Sequence, residues 1–147
     1  MIFPFKKVVF DGGVMIEFLL SGEKSELYKN IANEKIIPST TTLSIIEMEY
    51  ILCRKLGKDK AFEKVDNLLS SNYFKVFSLN SISRDISGLK CFIPIALPDC
   101  ATIALAIKNN VPALFARKES ELIGQLDKKK FETEIYFLED LLDYSKI

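Results

Sequence analysis

The stretch KVVFDGGVMIEFLL, residues 7–20, decides how the rest of the chain is read. Lys7 to Phe10 is a compact run rich in β-branched residues, the composition of a buried strand. Asp11 ends it, Gly12-Gly13 permits a tight turn, and the apolar segment from Val14 to Leu20 can begin a helix. This order puts Asp11 at the carboxyl end of a strand, the place where open parallel sheets bind their ligands. A lone aspartate there is more simply explained as the cap of the helix that follows, because its carboxylate can accept the first free N–H groups. Other acids must decide between the two explanations.

Outward from this stretch, strands and helices are expected to alternate. A polar helical segment over 23–34 leads to the short apolar run Ile36-Ile37-Pro38, a candidate second strand. Ser39 and the threonines at 40–42 can supply the N-cap of a helix through LSIIEMEYILCRKL that stops at Gly57. On it, Leu43, Ile46, Tyr50, Cys53 and Leu56 recur at helical spacing and are expected to face the core. An amphipathic helix over 58–71, a strand over 74–79 and a weaker helix over 82–89 follow. Pro98 then takes a favoured first-turn position before DCATIALAIKNN, a helix of small and aliphatic residues ending at Asn109-Asn110. VPALFA reads as a strand, 119–130 as a polar helix, 134–138 as the last strand, and LEDLLDYSKI as a short acidic terminal helix. The expected architecture is therefore α/β: one domain over 1–147, a three-layer α/β/α sandwich around a mostly parallel central sheet.

Composition narrows the chemistry. With 147 residues, 48% of them apolar, the chain can bury a sizeable core as one ordinary domain. Lysine plus arginine and aspartate plus glutamate number 20 each, so no global charge excess advertises nucleic acid, and an anionic substrate would have to be held by local geometry. Cys53, Cys91 and Cys100 are odd in number and lack C-x-x-C pairing, which argues against a disulfide framework or zinc knuckle and favours a reducing cytoplasm. The opening MIFPFKKVVF is too short before Asp11 for a signal peptide or membrane span and is expected to form the first strand. The sequence contains no histidine, which excludes Ser-His-Asp and Cys-His couples, histidine acid/base ribonucleases and histidine metal ligands. Carboxylates remain, and their natural partner is a hard divalent cation.

Two further carboxylates stand out. Glu47 lies in a helix beside the apolar Ile45, Ile46 and Met48, either as a solvated residue at the edge of the stripe or as a group aimed into a cleft. Asp99 follows Leu97-Pro98 at a helix start, where the dipole favours an anion with or without a function.

The three blocks VVFDGGVMIEFL, TTLSIIEMEYIL and LPDCATIALAIKNNVPALF resemble, in order and spacing, the three characteristic blocks of PIN domains, which include VapC-type toxins of toxin–antitoxin pairs. The resemblance runs from residue 7 to about residue 138, and L-P-D-x-x-x-x-A-x-A is its most specific part. It implies a metal-dependent endoribonuclease in which Asp11, Glu47 and Asp99 coordinate one or two Mg²⁺ or Mn²⁺ ions and RNA phosphodiester bonds are cut by metal-activated water. It also implies RNA as substrate, an antitoxin protein as partner and a homodimer as assembly.

The chain departs from the family pattern in two places. Many members carry a small hydroxyl residue just after the first acid, where this chain has Gly12 and Gly13. A fourth acid often follows the strand matching VPALF; here that place falls on Arg117 or Lys118, with Glu119 the nearest substitute metal ligand. Arg117 and Lys118 are candidates to contact substrate phosphate instead, as are Lys6, Lys7 and Lys90, and Glu17 and Glu49 are further carboxylates near the first two acids. Two alternatives compete. VVFDGG also resembles the start of haloacid-dehalogenase-type phosphatases, which need a second aspartate where this chain has Gly13. A PIN-like module that has lost catalysis and binds RNA or a protein partner is the non-enzymatic alternative.

Overall fold

A computed structural model of the chain describes residues 3–128 and 131–144. Its elements in order are β1 (Lys7–Phe10), α1 (Gly12–Ser21), α2 (Glu26–Ala32), β2 (Ile37–Thr41), α3 (Thr42–Leu56), α4 (Lys58–Ser70), β3 (Lys75–Phe77), a 3-10 turn (Leu79–Ser81), α5 (Ser83–Phe92), α6 (Leu97–Asn109), β4 (Ala113–Phe115), α7 (Ser120–Lys128), β5 (Ile135–Phe137) and α8 (Leu138–Tyr144). The expected last residues of the 119–130 helix, 129–130, and of the terminal helix, 145–147, lie outside the described residues.

The described strands form one parallel sheet in the order β3-β2-β1-β4-β5. Period-two alternation along β1 sends Val8 and Phe10 into one core and Val9 into the other. Leu114 of β4 joins the first, and its neighbours Ala113 and Phe115 join the second. The first core is closed by α1 to α4 and Leu138 of α8, the second by α5, α6 and Leu122 of α7, which gives the expected three layers. Helix α6 is buried over Cys100 to Ala106, which explains its small side chains. It ends where Asn110 adopts a left-handed conformation with φ 53°.

The sheet order reverses between β1 and β4. The chain leaves β1 into α1 on one face and leaves β4 into α7 on the other, so a crevice opens where the carboxyl ends of these two strands lie side by side. Asp11 sits there, its backbone N–H bonded to the Leu114 carbonyl at 3.1 Å.

Three expectations need correction. The second strand is longer than the apolar run: β2 continues through Ser39, Thr40 and Thr41, and Thr41 is both its last residue and the cap of α3. Threonine is at home in a strand, and burial of Thr40 is offset by a 2.9 Å hydrogen bond from its hydroxyl to the Phe10 carbonyl. Second, the core stripe of α3 is Ser44, Met48 and Leu52 rather than the one read from the sequence. Ile46 is 53% and Tyr50 45% exposed, whereas Leu43, Cys53 and Leu56 are only partly buried against the cores. Hydropathy ranks serine as a surface residue, but Ser44 is buried because its hydroxyl has partners, and this sets the rotation of the helix. Third, Gly12 and Gly13 are the first two residues of α1 and neither has positive φ, so the turn does not require glycine for its backbone angles.

Candidate active site

Space, rather than conformation, accounts for the glycines. A Cβ on Gly12 would fall 2.6 Å from Oε1 of Glu47 and 3.1 Å from the Ser44 carbonyl oxygen. One on Gly13 would fall 3.1 Å from Cβ of Ala116 and 3.5 Å from Oδ2 of Asp11. The missing side chains let the Glu47 carboxylate and the loop after β4 approach the end of β1.

The two explanations of Asp11 prove compatible. Oδ1 accepts from the Val14 N–H at 3.0 Å, so Asp11 caps α1, and its carboxyl also belongs to an acidic cluster. Burial is the main cause that pushes its pKa up to about 8, against the capping bond and with help from Asp99, Glu47 and Glu119. Asp99, in the first turn of α6, is raised to about 7 by burial, then by Glu119, Glu47 and Glu121, with Lys90 opposing. Glu47, half-buried on α3, is raised by burial and by Glu119. The fold thus brings Asp11, Glu47, Asp99 and Glu119 within electrostatic reach of one another, from four separate elements or loops.

Glu119 acts on all three of the other acids and is the nearest carboxylate to the family's fourth position. Arg117 and Lys118 are drawn elsewhere. Arg117, whose side chain is 78% exposed, lies 3.8 Å from Glu17 of α1. Lys118 pairs with Asp140 of α8 at 2.8 Å, and its backbone N–H donates to Glu139 at 2.8 Å. Lys90, at the end of α5, acts on Asp99 and donates to the Ile95 carbonyl. Lys6 and Lys7 lie at the opposite end of β1, roughly 13 Å along the strand from Asp11, and do not belong to this site. Nothing places Glu49 in the cluster.

These acids are hard oxygen donors burdened by burial and mutual repulsion, which a divalent cation relieves. Among the described residues no three His, Cys, Asp or Glu side chains are gathered into a ready metal cage. The fit is therefore to an ion such as Mg²⁺, which takes one or two carboxylates and completes its shell with water and substrate phosphate. A separate cavity of about 530 Å³, lined among others by Arg84, Leu89, Lys108 and Phe131, contains none of these acids.

The family model for the PIN domain matches residues 8–129. The chain belongs to the PIN domain family. Its members are generally nucleases. Solved structures agree in fold. A chain of VapBC2 from Rickettsia felis, solved bound to a DNA fragment from its promoter, superposes with a TM-score of 0.65 at 11% identity, covering 89% of this chain and 98% of that one. DNA-bound VapBC from Salmonella typhimurium gives 0.66 at 10% identity, with 90% and 98% covered. PAE2754 from Pyrobaculum aerophilum gives 0.60 at 17% identity, with 95% and 88% covered. Comparison with proteins of curated function gives no significant match. Among the described residues no single helix of this PIN domain is long and apolar enough to cross a membrane.

Reading the sequence alone missed two features of the site. Ser44 and Thr102 are fully buried polar residues behind the acids, and Gly12 makes room for Glu47. The first could have been suspected from hydroxyls at positions with an apolar neighbour on either side, as in Leu43-Ser44-Ile45 and Ala101-Thr102-Ile103.

Proposed function

We propose that this PIN domain is a Mg²⁺- or Mn²⁺-dependent endoribonuclease of the VapC-like toxin kind. The observation that carries the reading is the group of mutually repelling carboxylates at the sheet's switch point, with Asp11 raised to about 8 and Asp99 to about 7. Asp11, Glu47 and Asp99 would hold the ion, one or two of them directly and the rest through its bound waters, and Glu119 would stand in for the fourth acid. Bound there, the ion supplies Lewis acidity toward the scissile phosphate and lowers the pKa of water. The protein's own groups do the rest. Asp11 is fixed by its cap on α1 and its bond to Leu114, so it presents its carboxyl without rearranging. Lys90, which acts on Asp99, would meet a substrate phosphate beside it. Arg117, exposed and 3.8 Å from Glu17, is the cation of the β4–α7 loop that can turn toward the RNA backbone, whereas Lys118 is engaged by α8. An antitoxin that covers this acidic crevice and a homodimeric assembly belong to the same reading, supported by the shared fold with VapBC chains.

The test is cleavage of a mixed single-stranded RNA by purified protein with Mg²⁺, with Mn²⁺ and with EDTA. Wild type should cleave only with metal, and Asp11→Asn and Asp99→Asn should each lower the rate by about a hundredfold or more. Equal cleavage by all three proteins, insensitive to EDTA, would sink the proposal and favour a non-catalytic binding module.

A further inference from the structure

Behind the acids runs a second line of polar groups, all of them hydroxyls and all fully buried: Thr41, Ser44 and Thr102. The Thr41 hydroxyl accepts from the Ser44 N–H at 3.1 Å, capping α3, and donates to the Ser44 hydroxyl at 3.3 Å. The Ser44 and Thr102 hydroxyls lie 3.4 Å apart, bridging α3 to α6. Thr102 donates to the Pro98 carbonyl at 3.1 Å. A hydroxyl has a single proton to give, and Thr102 gives its own to the Pro98 carbonyl. Ser44 must therefore donate to Thr102. The direction is fixed from end to end: Thr41 to Ser44 to Thr102 to the Pro98 carbonyl.

The ends of this line matter more than its middle. It finishes on the peptide bond that leads directly into Asp99. It passes through Ser44, which precedes Glu47 by three residues and so shares its helix face. The Ser44 carbonyl in turn faces Gly12, 3.1 Å from where a Cβ would stand, beside Asp11. Apolar side chains would pack α3 against α6 with no polar groups to satisfy. Hydroxyls add direction and a fixed spacing between two helices whose acids repel one another.

We infer that the Thr41–Ser44–Thr102 hydroxyl line is a positioning device, which holds the helix bearing Glu47 in register with the turn bearing Asp99 so that both can reach one ion. This rests on the metal-site reading above. The three residues touch neither ion nor substrate and act only through the acids.

The experiment is Mn²⁺ binding by titration calorimetry on the whole chain near neutral pH, with melting temperature recorded for each variant. Thr102→Val keeps the shape and removes the hydroxyl; it should weaken Mn²⁺ binding by about tenfold or more, while Thr102→Ser, which restores the donor, should stay within about twofold of wild type. Ser44→Ala is a second break in the line and should weaken binding in the same direction. Leu68→Ala, a core truncation on α4, should lower the melting temperature without changing the affinity. Folded Thr102→Val and Ser44→Ala proteins that bind Mn²⁺ as wild type does would overturn the positioning role alone. A wild type that binds no Mn²⁺ would overturn the metal site and this inference with it.

Discussion

Two sets of polar side chains meet at the carboxyl edge of the sheet, and they are buried on opposite terms. Thr40, Thr41, Ser44 and Thr102 are each fully enclosed, and each has a hydrogen-bond partner within the protein. Asp11, Glu47 and Asp99 are half-buried beside one another, and every one is raised above its ordinary pKa. The hydroxyls are neutral and satisfied, so their burial costs little and fixes the geometry. The carboxylates retain an electrostatic burden that the described residues do not relieve: among them Lys90 opposes it at Asp99, and the Val14 N–H at Asp11. A fold selected purely for stability has no reason to keep such a group of acids, and the contrast with the satisfied hydroxyls a few residues away supports the proposal that the acids hold a metal ion.

The sharpest way to break this contrast is to remove one charge. Asp11→Asn keeps an oxygen that can cap α1 but cannot ionise, so in the metal-free protein it should raise the melting temperature by several degrees at pH 8 while abolishing cleavage. A stabilised, inactive variant is the signature expected of a strained functional site, and a destabilised one would contradict it. A smaller change, of opposite sign, is expected in the satisfied set. Thr40→Val removes the bond to the Phe10 carbonyl and should cost about 1 kcal/mol in urea unfolding, with the stability change independent of pH.

Much of this was legible in the sequence. The strand-ending Asp11, the helix start at Asp99 and the alternation of elements follow from patterns a few residues long, which local propensity encodes well. The end of β2 and the face of α3 were misread because both depend on partners distant in sequence. Thr40 belongs to a strand because Phe10 is there to accept its bond, and Ser44 faces inward because Thr102 lies across from it. The glycines were assigned to a turn because glycine most often serves one, whereas here they yield space to a carboxylate contributed 35 residues later. Arg117 and Lys118 looked like the occupants of the fourth-acid position, but side-chain direction, invisible in sequence, sends them toward α1 and α8.

The measurement that tests the central claim most directly is the melting temperature of metal-free protein between pH 5 and pH 9, with and without Mg²⁺ or Mn²⁺. A carboxyl whose folded pKa is raised holds its proton in the folded state after the unfolded chain has lost it. Stability should therefore fall as pH rises from about 4 toward about 7 for Asp99 and about 8 for Asp11, and level off above. Metal binds the ionised acids, so it should restore little below pH 6 and most at pH 8 and above, and that restoration should vanish in an Asp11→Asn, Asp99→Asn double variant. A pH-independent melting temperature, or a metal-induced rise equal in wild type and double variant, would contradict the account.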